Sequence, residues 1–183
     1  MKTLFILSNS ALLFLCGFVG SSYSSQEFTF DVTIPKNTCD VSVVGTSENK
    51  IDFGSIPLEK FKDDVPQGKY KSEFKVNLSN CKNTSFSGAY VSLSGIYNDQ
   101  NNGFLDDVGK TFAIRISKKA NATQSDTDFF TNTNNKIWTN ITATNMSNTY
   151  YAYVMCKTGV NNCSDDQNVG KFKSTLTLTF VAD

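Results

Sequence analysis

The chain has 183 residues, 17 basic against 17 acidic side chains, five cysteines and no histidine. A balanced charge excludes the basic footprint of a nucleic-acid binder and a polybasic membrane patch. Without histidine there is no Ser-His-Asp triad, no Cys-His pair and no imidazole metal ligand.

Residues 1–24 read as a secretory signal peptide: Lys2 supplies the positive end, Leu4 to Val19 is mostly apolar, and Ser22 and Ser24 place small side chains before a cut at Ser25. Ser8, Asn9 and Ser10 interrupt an apolar run already short of the roughly 18–20 residues a membrane span needs. Cleavage leaves 159 residues carrying 16 basic and 17 acidic groups, an exported single-domain length with no later membrane-length segment.

From Gln26 onward the pattern is short β-strands between turn residues. Phe28, Phe30, Val32 and Ile34 alternate with polar neighbours until Pro35. Cys39, Val41 and Val43 alternate next, and Ile51 to Ile56 reads as a short strand ending at Pro57. Leu58 to Lys69, with Pro66 and mixed charge, reads as a loop. Phe74, Val76 and Leu78 form a strand running toward Cys81, followed by Ala89, Val91 and Leu93, then Phe112, Ile114 and Ile116. Asn121 to Asn135 reads as an exposed polar loop with Phe129 and Phe130 folded back. Ile137 to Ile141 carries the only tryptophan, Trp138, and Tyr150 to Cys156 is another β-rich run.

The last stretch is the most regular. From Phe172 to Phe180 the even positions Phe172, Leu176, Leu178 and Phe180 are apolar, Ser174 excepted, and Lys or Thr fill the odd ones. Such a strand, running almost to the C-terminus, needs a pairing partner. No window shows a comparable helical period, so the expected fold is an all-β, immunoglobulin-like antiparallel sandwich.

The exported chain keeps Cys39, Cys81, Cys156 and Cys163, an even number that reads as disulfides. Three connectivities are possible, and proximity favours Cys156–Cys163, leaving Cys39–Cys81 as the long-range staple. The acid pairs Asp63-Asp64, Asp106-Asp107 and Asp165-Asp166 lie in polar turns, where solvated carboxylates rather than a general acid are expected. Asn98 to Gly109 approximates a calcium loop but has Gly109 where a bidentate Glu is required. No catalytic residue, cofactor or metal is therefore expected. Asn-x-Ser/Thr sequons, as at Asn140, arise by chance in so Asn- and Thr-rich a chain.

Taken in order, the leader, the alternating N-terminal strand, Cys39-Asp-Val-Ser, Ile51-Asp-Phe-Gly, Phe74-Lys-Val-Asn-Leu-Ser-Asn-Cys81 and Gly170-x-Phe172 with its terminal alternation resemble the pilin subunits of the chaperone–usher pathway. Gly170 stands fourteenth from the end, where that family usually has glycine. Val32 and Ala182 stand where it often has glycine and tyrosine. The resemblance implies a sandwich lacking its final strand, completed by donor-strand complementation. It divides the chain into a leader (1–24), a donor extension (25–33) and a pilin domain (34–183). It makes Phe28, Phe30, Val32 and Ile34 the donor anchors, and Gly170, Phe172, Leu176, Leu178 and Phe180 the strand facing chaperone or donor. The implied partners are a periplasmic chaperone, an outer-membrane usher and neighbouring pilus subunits, without nucleic acid or membrane insertion. The implied location is a surface fimbrium reached through the periplasm, serving adhesion. The alternative reading is a glycan-binding tip module using Trp138, Tyr150, Tyr151, Tyr153 and the Asn-rich loops.

Overall fold

The computed structural model describes residues 38–46, 49–82, 85–96, 103–106, 110–157, 163 and 170–182. The leader and the four donor anchors Phe28, Phe30, Val32 and Ile34 lie outside these. The described elements are β1 (Thr38–Val44), α1 (Leu58–Asp64), β2 (Lys71–Lys82), β3 (Tyr90–Gly95), β4 (Phe112–Ser117), β5 (Lys136–Trp138), β6 (Ser147–Cys156) and β7 (Leu176–Val181).

Two antiparallel sheets face each other, ordered β1-β2-β6-β4 and β5-β3-β7. The period-two pattern decides which side chains go between them. Phe74, Val76 and Leu78 of β2 turn inward against Val91 and Leu93 of β3, while Lys71, Glu73 and Lys75 face solvent. Trp138, Tyr150, Ile116 and Val154 belong to the same core. Burying each such side chain contributes roughly 1.5–3 kcal/mol.

All six residues of β4 are buried, as are Ala152 to Cys156 of β6, so both faces of this part of the sheet are covered. The cover on the outer face is the segment 118–130, a loop that turns Ala122 and Phe129 inward and leaves most of its polar side chains exposed. Ala122 and Phe129 pack there on Tyr153 and Met155. The Tyr153 hydroxyl donates to Lys119 O at 2.6 Å and accepts from Ala122 N at 3.2 Å, fixing the segment's backbone. Arg115, the only arginine, lies buried beneath it. Its guanidinium donates to Cys156 O at 3.1 Å and stands 5.3 Å from the Phe129 ring centre. Phe129 and Phe130 do fold back as the sequence indicates.

Three sequence expectations are corrected. Leu58 to Asp64 is a helix rather than loop: Phe61 and Val65, four apart, bury one face, and Pro57 sits at its start, where a missing N–H costs nothing. About two turns is too short for a helical period to emerge from the pattern. Ile51 to Ile56 is irregular rather than a strand. There the Asp52 carboxylate accepts from Gly54 N at 2.8 Å and Gly54 adopts φ +64°, which turns the chain out of extension. The terminal strand starts at Leu176, not Phe172, because residues 173–175 are bound instead to Asp106.

Disulfides Cys39–Cys81 and Cys156–Cys163 are both formed, the pairing that proximity favours.

Candidate strand-accepting cleft

β1 ends one sheet and β7 ends the other, and the two lie side by side. Between them runs a cleft of about 560 Å³, lined by Thr38, Cys39, Asp40 and Val41 from β1 and by Leu178, Thr179 and Phe180 from β7. Among the described residues β7 has β3 as its only ladder partner, from Tyr90↔Val181 to Gly95↔Leu176. Its other edge presents backbone donors and acceptors to the cleft.

The alternation seen in the sequence survives as an alternation of exposure. Phe172, Ser174, Leu176, Leu178 and Phe180 are half-buried while Lys171, Lys173, Thr175, Thr177 and Thr179 are exposed. The apolar members of the inner row pack against the core without being covered by it. A closed sandwich buries such a row fully, as β2 shows with Phe74, Val76 and Leu78. Phe172 is seated by an edge-on contact with Phe112, ring centres 4.7 Å apart. The Ser174 hydroxyl is buried in the same row with no hydrogen-bond partner among the described residues. Gly170, at φ +116°, makes the bend that introduces the segment, a conformation disfavoured for any side chain.

On the β1 side, the Cys39–Cys81 disulfide ties the cleft wall to β2 across a separation of 42 residues. The Asn80 amide donates to Asp40 at 2.8 Å on the same rim. On the β7 side the chain is held by Asp106, which is not the free solvated acid its turn context indicates. Its carboxylate accepts from Thr175 N at 2.8 Å and from the Thr175 hydroxyl at 2.7 Å. Its own N–H donates to Lys173 O at 2.9 Å. The Thr175 N–H is the largest influence holding the Asp106 carboxyl below its ordinary 3.8. No local signal marks this role, because the partners are 69 positions apart.

The alternative glycan constellation does not assemble on the surface. Trp138, Tyr150 and Tyr153 are buried, and only Tyr151 is partly exposed. The Tyr150 hydroxyl donates to Ile137 O at 2.9 Å, and burial raises its pKa. Of the acid pairs, Asp64 and Asp106 have carboxyls held below the ordinary value, by Lys69 and Thr175 respectively, the opposite of a general acid. Among the described residues no cluster of three or more metal-ligating side chains occurs.

An immunoglobulin-like sandwich in which the described residues leave a strand position open between the two sheet edges defines the class: an all-β subunit built incomplete. The fimbrial protein family matches residues 28–181, and the chain belongs to that family. Solved structures agree on the fold. The P pilus rod subunit PapA superposes with a TM-score of 0.56 at 18% identity, covering 86% of this chain and all of that one. No individually curated protein sequence matches significantly. The protein is a pilus subunit of the surface fimbrium, reached through the periplasm, that associates with other subunits and is structural rather than catalytic.

Proposed function

We propose that this subunit polymerises by donor-strand exchange, its β1–β7 cleft accepting a strand from another chain. The observation that carries the reading is the half-buried row Phe172, Leu176, Leu178 and Phe180 beside an edge that no described residue pairs. An open edge over an apolar row is an aggregation hazard that a free protein must cover. Strand addition to such an edge is a known mode of recognition, of which chaperone–pilin complementation is itself an established instance. A periplasmic chaperone fills the cleft first, and at the usher a neighbouring subunit's extension replaces it. The subunit's own extension, 25–33, with Phe28 and Phe30 as anchors and Val32 and Ile34 following, fills the next cleft. The fibre so built serves adhesion.

Every strand pair described is antiparallel. A donor that continues this pattern runs antiparallel to β7 and parallel to β1. Deleting Gln26 to Asp31 tests the assignment: chaperone capture is expected to persist while the subunit fails to fill its neighbour's cleft, ending the fibre there. Fibres of normal length from that deletion would overturn it.

A further inference from the structure

The two ends of the sandwich differ. At one end β1 begins, β2 finishes and β7 finishes, since Thr38 pairs with Lys82 and lies across the cleft from Thr179 and Phe180. The residues leading into β3 and out of β5 enclose a second cleft there, of about 660 Å³, lined by Phe86, Ser87, Tyr90, Lys136, Ile141 and Thr142 among others. Among the described residues no acid lines it. The one cation among them, Lys136, stands with Nζ 4.2 Å from the Tyr90 ring centre. Its walls combine apolar Phe86 and Ile141 with hydroxyls, so it suits a side-chain cluster that is apolar at the base and acidic at the rim.

The opposite end carries α1 and the far ends of β1 and β3. The exposed large hydrophobic residues among those described are Val44, Leu58 and Ile96, at 46%, 39% and 51% exposure. All three lie at this end: Val44 closes β1, Ile96 follows β3, and Leu58 opens α1. Next to Leu58 the side chain of Glu59 is exposed.

Strand direction decides which ends meet. A donor antiparallel to β7 enters beside Val181 and emerges beside Leu176, at the α1 end of the accepting subunit. The donor's C-terminal end joins the chain that reaches Thr38, at the Lys136 end of the donating subunit. Subunits linked this way meet α1 end to Lys136 end, a head-to-tail contact that must use two different surfaces.

We propose that the Lys136 cleft of each subunit receives Leu58 and Glu59 of the copy whose strand position it fills. Leu58 covers the half-buried Phe86, and the Glu59 carboxylate meets the Lys136 ammonium. The contact rests on the strand-exchange reading and adds a second interface to it, one that sets the angle between subunits where the donor strand alone leaves a hinge. Two surfaces closing together raise the effective concentration of each for the other.

The test is made in fibres of the full chain. Leu58→Cys and Thr142→Cys in one chain, oxidised after assembly, are expected to give a ladder of covalent multimers that survives boiling in SDS until reductant is added. Glu59→Lys and Lys136→Glu are each expected to shorten fibres several-fold, and the double reversal to restore them. Fibres of normal length with no ladder and no effect of either reversal would overturn the contact while leaving strand exchange standing. Fibres that persist after removal of Gln26 to Asp31 would overturn both. Glycan binding by the wild type that Lys136→Glu abolishes would assign the cleft to a sugar and also overturn it.

Discussion

Asp106 grips Thr175 with both carboxylate oxygens, at 2.8 Å to the backbone N–H and 2.7 Å to the hydroxyl. The grip falls one residue before β7 begins, so it sets where the inner row of the cleft enters the sandwich. Asp106→Ala is expected to lower stability by about 1 kcal/mol, a charge-assisted bond discounted for solvent exposure. Asp106→Asn, whose amide oxygen still accepts from Thr175 N while its N–H can donate to the Thr175 hydroxyl oxygen, is expected to lose only the charge-assisted part of that amount. Thermal denaturation of the chaperone-free subunit, closed by a grafted donor strand, would measure it. A variant as stable as wild type would remove Asp106 from the account of the cleft.

Acid should loosen the outer cover of the sheet. The Lys119 ammonium, then the Thr123 N–H and hydroxyl, hold the Asp126 carboxyl down to about 2 from its ordinary 3.8. A carboxyl whose folded pKa is depressed adds stability that is present above its unfolded value and lost as pH falls through the folded one. The expected window is therefore from about pH 4 down to pH 2, shared with Asp106, whose carboxyl is also lowered. Asp126→Asn should flatten this part of a stability-versus-pH curve. An unchanged curve would show that the pair is screened out.

Gly68 marks where segment 118–130 meets the turn after α1. It adopts φ +67°, and a Cβ there would lie 2.0 Å from Ala122 O. Neither backbone can yield freely, since Gln124 N donates to Pro66 O at 2.8 Å beside the contact. Gly68→Ala is expected to destabilise by about 3 kcal/mol or more, combining left-handed strain with a backbone clash. Hydrogen exchange should show the amides of 118–130 losing protection first.

Much of this was legible in the sequence because it rests on period-two alternation. Phe74, Val76 and Leu78, or Ile114 and Ile116, announce a strand without knowledge of its neighbours. So does Leu176 to Phe180. The residues without a local signal depend on distant partners. Asp106 looks like any turn acid until Thr175 is placed beside it. Phe61 and Val65 are too few to declare a helix. Ala122, Phe129, Tyr153 and Met155 form a second small core, with Arg115 beside it, only because a polar segment crosses back over β4 and β6. The aromatic set of Trp138, Tyr150 and Tyr153 suited a sugar by composition, and only packing sends it inward.

The inner row should tolerate truncation differently from the core. Leu178 is half-buried and lines the cleft, whereas Leu93, its partner across the ladder, is fully buried. Leu93→Ala is expected to cost about 2–5 kcal/mol and impair folding. Leu178→Ala should cost less in the isolated subunit and more in the complex, where the donor strand would complete its burial. The comparison needs two measurements: unfolding of the subunit with its cleft open, and heat dissociation of SDS-resistant oligomers. Equal losses in both would mean that nothing seats against Leu178.

The two disulfides should divide the same way between stability and function. In the chain-entropy view, closing the 42-residue separation of Cys39–Cys81 restricts the unfolded chain by about 4 kcal/mol, and the 7-residue Cys156–Cys163 clip by about 2.5 kcal/mol. Position sharpens the difference. Cys39 lines the cleft and anchors its β1 wall, whereas Cys163 is buried at the far end of β6, its carbonyl accepting from the Thr111 hydroxyl at 2.9 Å. Replacing Cys39 and Cys81 by Ser should therefore reduce both folding yield and capture by the chaperone. Replacing Cys156 and Cys163 should lower thermal stability while leaving capture of the folded fraction near normal. Folded protein lacking Cys39–Cys81 that is still captured normally would show that β3, rather than the β1 wall, holds β7 in position.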